Sequence, residues 1–183
     1  MAEEFGFEEE EPGPPDEPFG EEGFPEGDTE KMRPPGGFPE DRGEPGEEHE
    51  VKVMGVYEQQ EQGGRSTAFV LLRDNLGRSV LIMIGRFEAF AISVALEGKS
   101  ADRPMTHDLI NNIIQRLGGK VERILVDDLF QSTYYAKIDV AINGKVLQID
   151  SRPSDAIAIG IRANAPIFMA ENVLEQAAVQ EDT

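Results

Sequence analysis

The chain has 183 residues, no cysteine and a formal net charge of −19 at pH 7. Without cysteine it cannot form disulfides, thiolate nucleophiles or cysteine-ligated zinc sites. Its N-terminus lacks the basic and apolar segments of a signal peptide, and apolar runs such as VLIMI at 80–84 are too short to cross a bilayer. We therefore expect a cytoplasmic protein that does not engage a membrane.

The first 50 residues differ in composition from the rest of the chain. They contain 19 of the 36 acidic residues, 3 of the 17 basic residues and 9 of the 12 prolines. Their few apolar side chains cannot bury enough surface to offset the entropy of ordering the backbone. We predict that residues 1–50 form a disordered acidic tail, residues 51–178 one compact domain, and residues 179–183 a short C-terminal tail.

Short apolar runs predict an antiparallel meander of three strands at the start of the domain. They span residues 51–58, 67–73 and 79–85, and DNLGR at 74–78 supplies a turn between the second and third. The helix predicted next, over 86–98, is apolar almost all round and is therefore expected to be buried.

A second helix is predicted over 105–119. Thr106 is the expected N-cap, and Gly118 is the expected C-terminal stop. The apolar positions of this helix recur at helical spacing and form one stripe that we assign to the core. The stripe consists of Leu109, Ile110, Ile113, Ile114 and Leu117.

The clearest local signal is a hairpin, which follows a predicted strand at 121–129. Its strands span 133–142 and 145–150, and Asn143–Gly144 forms the turn. A two-residue turn fixes the pairing, with apolar pairs on the core side and a charged pair on the polar side. The pairs are Ile138 with Ile149, Val140 with Leu147, and Lys137 with Asp150.

The hairpin leads directly into a third predicted helix. Pro153 keeps the chain extended, Ser154 caps the helix, and Asp155 lies in the first turn, where its charge suits the helix dipole. A strand at 166–170 and a helix at 171–179 complete the domain.

Four separated segments resemble, in order and spacing, the bifunctional nuclease domain family. They are IGRFEAFAISVALEGK at 84–99, DRPMTHDLINNIIQRLGG at 102–119, TYYAKIDV at 133–140 and IDSRPSDAIAIGIRANAPIF at 149–168. The resemblance implies a single compact α+β domain, with a mixed sheet packed by about four helices, and nuclease activity on DNA and RNA. Where the usual family pattern reads DARPSDA, this chain has Ser151, which leaves the charged residues unchanged.

Phosphodiester hydrolysis needs an activated water and stabilisation of charge on the phosphate, commonly with a divalent metal held by carboxylates. Our candidates are polar residues at two predicted helix entrances, on the hairpin and in helix 86–98. The catalytic candidates are His107, Asp108, Asp150 and Asp155, and the candidate ligands of Mg²⁺ or Mn²⁺ are Glu88, Asp108, Asp150 and Asp155. The candidates for binding substrate are Arg103, Arg152, Ser154 and Lys137, of which the arginines would clamp phosphate oxygens.

Several of these residues also have a structural interpretation. His107 fits a surface or capping role in the first turn of its helix. For Asp108 and Asp155, favourable placement near a helix N-terminus is sufficient. Asp150 fits a simple ion pair with Lys137.

A different class of function is compatible with the same residues, namely a non-catalytic regulatory module that binds a small anion or a protein partner. Residues 51–183 carry 17 acidic and 14 basic side chains, so the domain offers little general attraction for nucleic acid. Transient binding of nucleic acid as a substrate needs less affinity than stable binding. Self-association is a further expectation, because sheet edges and the apolar C-terminal helix offer surfaces for it.

The acidic tail has two interpretations. GFPE occurs at 23–26 and again at 37–40, and such aromatic islands suit docking to a protein partner, whereas a solvated, self-repelling tail needs no partner. We also hypothesise that the tail, as a flexible polyanion, competes with substrate for the basic part of the site.

Deleting residues 1–50 is therefore expected to raise nuclease activity or oligonucleotide affinity at low salt, where charge repulsion is least screened. The measurement compares the full chain with the truncated chain over a range of salt concentrations. Equal activity and equal affinity at low salt would contradict the hypothesis.

Overall fold

The computed structural model describes residues 46–60, 66–99 and 101–180, apart from the side chain of Gln180. Residues 1–45, which make up most of the predicted acidic tail, lie outside the described residues, as do residues 181–183.

Within the described ranges the chain is α+β, as expected, with eight strands and four helices. The strands are β1 (Glu48–Gln60), β2 (Ser66–Asp74), β3 (Arg78–Ile84), β4 (Lys120–Phe130), β5 (Thr133–Ile142), β6 (Lys145–Ser151), β7 (Ile167–Ala170) and β8 (Val179–Gln180). The helices are α1 (Arg86–Leu96), α2 (Thr106–Arg116), α3 (Pro153–Ala163) and α4 (Glu171–Ala177).

The strands form one mixed sheet in the order β6-β5-β4-β7-β1-β2-β3-β8. The predicted meander is confirmed, because β2 pairs antiparallel with both β1 and β3. The short strand β7 pairs antiparallel with β1 and parallel with β4, so it joins the meander to the second half of the sheet.

Strand β1 begins at Glu48, inside the stretch that the sequence assigned to the tail. Arg123 forms an ion pair with Glu48, and His49 Nε2 lies 2.7 Å from a carboxylate oxygen of Glu171. A truncation that removes the tail alone should therefore retain residues 46–50, because deleting them removes two partners of the folded domain.

The hairpin is confirmed in both turn and register. Asn143 and Gly144 have φ values of 52° and 74°, which the type I′ turn requires. Ile138 pairs with Ile149, and Lys137 pairs with Asp150. Ile149 is nevertheless 45% exposed, because β6 is the edge strand and has a neighbouring strand on one side only.

Helix α3 is the most deeply buried helix among the described residues, and it packs on β4 and β5. Small residues allow this close approach. A Cβ added to Gly160 would lie 2.6 Å from Cγ1 of Ile124, a β4 side chain with no exposed surface. The contact therefore leaves no room for a side chain at position 160.

The prediction that α1 is buried all round is wrong. Its buried residues are Ala89, Ala91 and Ile92, whereas Phe87 is 89% exposed and Phe90 is 59% exposed. The helix packs on α3 and on the first two strands through small residues, which leaves its large aromatic side chains on the solvent side.

The core stripe predicted for α2 is only partly correct. Ile110 and Ile114 pack against the core. Three other members of the stripe are exposed, at positions 109, 113 and 117, and the polar residues His107 and Asn111 are buried instead. The helix is rotated relative to its apolar stripe because its polar side chains contact α3, as described below.

Both predicted N-caps lie one or two positions too late. Met105 occupies the N-cap of α2, so Thr106 is already helical, and the predicted stop at Gly118 is confirmed by its φ of 77°. Arg152 occupies the N-cap of α3, because Pro153 takes the first helical position, where a fixed φ and a missing N–H are tolerated. Ser154 therefore lies inside the helix and is buried.

The predicted C-terminal tail begins with a strand, since β8 pairs with β3 through Val179 and Gln180. None of the helices in the described part of the chain is long and apolar enough to span a membrane.

Replacing Gly160 by alanine is expected to destabilise the domain by about 1–3 kcal/mol, the usual result of overpacking a core. The steric strain against Ile124 outweighs the gain of about 1 kcal/mol that alanine brings to a helix interior. Urea unfolding measures the effect, and Gly46→Ala is a suitable control because a Cβ there meets no atom within 4 Å. A Gly160→Ala variant as stable as the wild type would contradict the close packing.

Candidate active site

The entrances of α2 and α3 meet, which brings together residues 48 positions apart in the sequence. His107, in the first turn of α2, lies with Nε2 3.1 Å from Oδ1 of Asp155, in the first turn of α3. His107 is nearly buried, with 9% of its surface exposed. With Nε2 engaged by Asp155, Nδ1 is the ring nitrogen that could make a second hydrogen bond.

Arg152 links this pair to α1. Its Nε donates to Oδ2 of Asp155 at 2.7 Å, and its Nη1 lies 2.9 Å from a carboxylate oxygen of Glu88. The Arg152 side chain remains 66% exposed, whereas that of Glu88 is 18% exposed. Two predicted metal ligands, Glu88 and Asp155, therefore lie next to one predicted phosphate contact, Arg152.

These residues line an open cleft of about 430 Å³ between α1 and the entrances of the other two helices. The lining residues are Phe87, Glu88, Phe90, Ala91, Met105, Thr106, His107, Arg152 and Asp155. We call this cleft the helix-entrance cleft. Phe87 and Phe90 were not among the predicted site residues, because an almost wholly apolar helix gives no signal for which side faces solvent.

The charge state of Asp155 follows from its partners. Burial acts to raise the pKa of Asp155, but hydrogen bonds from Arg152 and His107 outweigh burial, so the pKa lies below the ordinary value of 3.8. Asp155 also raises the pKa of Arg152, with a smaller contribution from Glu88. At neutral pH the cleft therefore contains a carboxylate and a guanidinium held together.

Asp108 contacts a different set of groups. It accepts a hydrogen bond from the Met105 backbone N–H at 2.9 Å and one from Nε of Arg162 at 2.6 Å. Burial acts to raise the pKa of Asp108, but these two hydrogen bonds keep it below its ordinary value. Asp108 is not among the residues that line the helix-entrance cleft.

A buried amide adds to the contacts between α2 and α3. Nδ2 of Asn111 donates to the backbone carbonyl of Ile159 at 3.2 Å. Together with the ion pair between Asp108 and Arg162, this bond fixes α2 against α3. Fixing the two helices also fixes the position of His107 relative to Asp155.

Asp150 and Lys137 lie on the opposite face of the sheet from the helix-entrance cleft. Side chains alternate along a strand, and their neighbours Ile138 and Ile149 occupy the face on which α3 packs. Lys137 Nζ lies 2.8 Å from a carboxylate oxygen of the buried Asp127. The expectation that Asp150 joins the acids at the helix entrances therefore fails in space.

The two remaining predicted substrate contacts are separate from the cleft. Arg103 is exposed in the loop before α2 and does not line it. Ser154 lines a neighbouring cleft of about 420 Å³, which shares Arg152 with the helix-entrance cleft.

A polar network on the opposite face of the sheet was not predicted from the sequence. Arg123 contacts Glu48 and donates to Asp139 through Nε at 2.7 Å, and Gln148 donates to the other oxygen of Asp139 at 3.1 Å. Asp139 is 5% exposed. These short contacts connect β1, β4, β5 and β6, so we interpret the network as one that stabilises the sheet.

A divalent metal finds no ready set of ligands in the described part of the chain. Across residues 46–60, 66–99 and 101–180, no three His, Asp or Glu side chains are grouped so that they could hold a metal ion. Glu88 and Asp155 are both engaged by Arg152. The predicted Mg²⁺ or Mn²⁺ site therefore does not fit this arrangement of side chains.

Replacing Arg152 by glutamine is expected to raise the pKa of Asp155, because it removes a donor to the carboxylate while burial persists. A lowered pKa contributes stability that is present above the unfolded value of about 3.8 and is lost as pH falls through the folded value. The variant should therefore lose less stability in that acid range. Carboxyl NMR titration measures the pKa, and Arg116→Gln, on the exposed side of α2, is the control. An Asp155 pKa unchanged by Arg152→Gln would contradict the arrangement.

Comparisons with known proteins agree with the resemblance seen in the sequence. The family model described as Bifunctional nuclease domain matches residues 70–182. An uncharacterized protein of Mycobacterium tuberculosis is 38% identical over 129 residues, which is 70% of this chain and 75% of that protein. Bifunctional nuclease 1 of Oryza sativa subsp. japonica is 26% identical over 103 residues, which is 54% of this chain and 31% of the rice protein. Bifunctional nuclease 2 of Arabidopsis thaliana is 25% identical over 105 residues, which is 55% of this chain and 32% of that protein. The chain thus belongs to the bifunctional nuclease domain family.

Proposed function

We propose that the domain is a nuclease that hydrolyses phosphodiester bonds of DNA, RNA or both in the helix-entrance cleft. The observation that carries the proposal is the chain of contacts from His107 through Asp155 to Arg152 in an open cleft. The plant relatives, which are named bifunctional nucleases, support the reaction class.

His107 is the proposed general base. A carboxylate that hydrogen-bonds one imidazole nitrogen fixes the ring and makes the other nitrogen a better proton acceptor. In the proposed reaction, His107 takes a proton from the attacking water and the oxygen of that water bonds to phosphorus. The ester bond breaks with its electron pair passing to the leaving oxygen, which takes a proton from solvent. Asp155 is the residue that orients the ring.

Arg152 is the proposed phosphate contact. A guanidinium has five N–H donors, and the bonds to Asp155 and Glu88 use two of them. The remaining donors of this exposed side chain are free to bind phosphate oxygens and to stabilise the charge that develops on them. Glu88 and Asp155 hold the guanidinium in place for that contact.

A requirement for Mg²⁺ or Mn²⁺ remains a separate proposal. No step above depends on a metal, because the described side chains do not form a ligand set without reorganisation. If a cation is required, Glu88 and Asp155 would have to exchange their contacts with Arg152 for it. Assays with each cation and with EDTA distinguish the two cases.

The alternative function is a non-catalytic regulatory module that binds an anion or a protein partner through the same cleft. The charge balance favours the protein-partner form of this module over a polyanionic ligand, because Arg152 is matched by two carboxylates and the chain carries a net charge of −19. Such a module would bind without hydrolysis. Its affinity for the partner would not change when His107 is replaced by another residue of similar size.

His107→Gln is expected to lower phosphodiester hydrolysis by about 10²–10⁴-fold, the usual contribution of a positioned base. Asp155→Asn should lower it as well, because the ring loses its orienting charge. The assay uses labelled single-stranded DNA and RNA with Mg²⁺, Mn²⁺ or EDTA, after circular dichroism has established that each variant is folded.

Asp150→Asn is the matched control, since it makes the same chemical change on the opposite face of the sheet. It should retain wild-type activity. Equal cleavage by the wild type, His107→Gln and Asp155→Asn would indicate a contaminating nuclease and would favour the regulatory module.

A further inference from the structure

We infer that the helix-entrance cleft selects single-stranded nucleic acid, through stacking of unpaired bases on Phe87 and Phe90. This inference rests on the proposed function and names the form of substrate that the site accepts. Phe87 is 89% exposed and Phe90 is 59% exposed, and both line the cleft together with His107 and Arg152.

Large exposed aromatic rings beside a polar cleft are unusual, because burying a phenylalanine ring is strongly favourable. Residues three positions apart on a helix have Cβ atoms about 5–6 Å apart on one face, so each ring can meet a neighbouring base. Stacking on aromatic rings tolerates any base sequence, since every base has a π-face.

The groove continues beyond the helix-entrance cleft. A second cleft of about 450 Å³ shares Phe90 and Met105 with it and runs along α1 to Lys99. An extended strand can therefore follow α1, with a phosphate at Arg152 and bases over the two rings.

The charges along the cleft exclude attraction to phosphates as the main source of affinity. Nucleic-acid binding usually depends on unopposed Lys and Arg that displace counterions from the phosphates. Here Arg152 is matched by Glu88 and Asp155, and Lys99 forms an ion pair with Glu97. Affinity must then come mainly from stacking, and the bases of a duplex are already stacked on one another and not accessible without flipping.

The test measures anisotropy of a short labelled phosphorothioate oligonucleotide, which resists cleavage, as a single strand and as the matched duplex. Phe87→Ala and Phe90→Ala in the full chain should each weaken single-strand binding about tenfold, the effect of losing one stacked base. Duplex binding should be weaker than single-strand binding from the start and should not change. Leu76→Ala is the control, because Leu76 is 71% exposed in the turn before β3, away from α1.

A second measurement reports stacking directly. The chain contains no tryptophan, so Phe87→Trp introduces a single indole and keeps an aromatic ring at the site. It should retain single-strand affinity, and its fluorescence should be quenched by the single strand but not by the duplex. The salt dependence of the affinity should be shallow, with a slope of log Kd against log salt below about 1.

Equal affinity for single strands and duplex, or no loss in either alanine variant, would overturn the inference. So would a change of oligomeric state in Phe87→Ala on sedimentation, since the rings would then be covered by a second copy of the chain. Stacking on the phosphorothioate strand, with no cleavage of unmodified single-stranded DNA or RNA by the wild type, would support the inference and overturn the proposed nuclease. Cleavage of single strands and duplex at equal rates, with no loss of cleavage in Phe87→Ala or Phe90→Ala, would overturn the inference and support the proposed nuclease.

Discussion

The position of every residue in the helix-entrance cleft depends on the burial of α3 against β4 and β5. The contact between Gly160 and Ile124 leaves no space between helix and sheet, so the start of α3 has one position relative to the sheet. Arg152 and Asp155 are therefore presented at a fixed place. The helix also supplies the surface on which α1 and α2 pack, and these bring Glu88 and His107 to the same point.

Polar contacts then determine how α2 lies on α3. Asn111 bonds a backbone carbonyl of α3, and Asp108 pairs with Arg162. Leaving these groups buried without partners would cost more than exposing aliphatic side chains such as Leu109 does. The domain therefore has polar residues at a helix–helix contact and apolar residues at its surface, and this inversion places His107 within reach of Asp155.

The charge arrangement limits the ways in which the site can act. One arginine is shared by two carboxylates, so the cleft has little net attraction for a polyanion, while its walls carry exposed aromatic rings. In the proposed binding mode, the ring faces hold the substrate and Arg152 orients a phosphate. It contrasts with basic nucleic-acid-binding surfaces, whose affinity falls steeply with salt.

Local chemistry in the sequence was sufficient to determine the hairpin, the meander and the C-terminal end of α2. Asn143–Gly144 sets the register of β5 and β6, and Gly118 stops α2, because each depends on backbone conformation within a few residues. The same register implied that Asp150 lies on the polar face, and the structure confirms it. The family resemblance was also readable from motif order alone.

Only the tertiary structure decided which side chains meet and which sides of the helices face solvent. A helix that is apolar on nearly every side carries no sequence signal for the side that faces solvent, so the exposure of Phe87 could not be predicted. The register already placed Asp150 on the polar face, and the packing of α3 on the other face separates Asp150 from Asp155. The physical reason is that helix packing is decided by contacts between residues far apart in the chain, such as Gly160 with Ile124, and such contacts leave no local pattern.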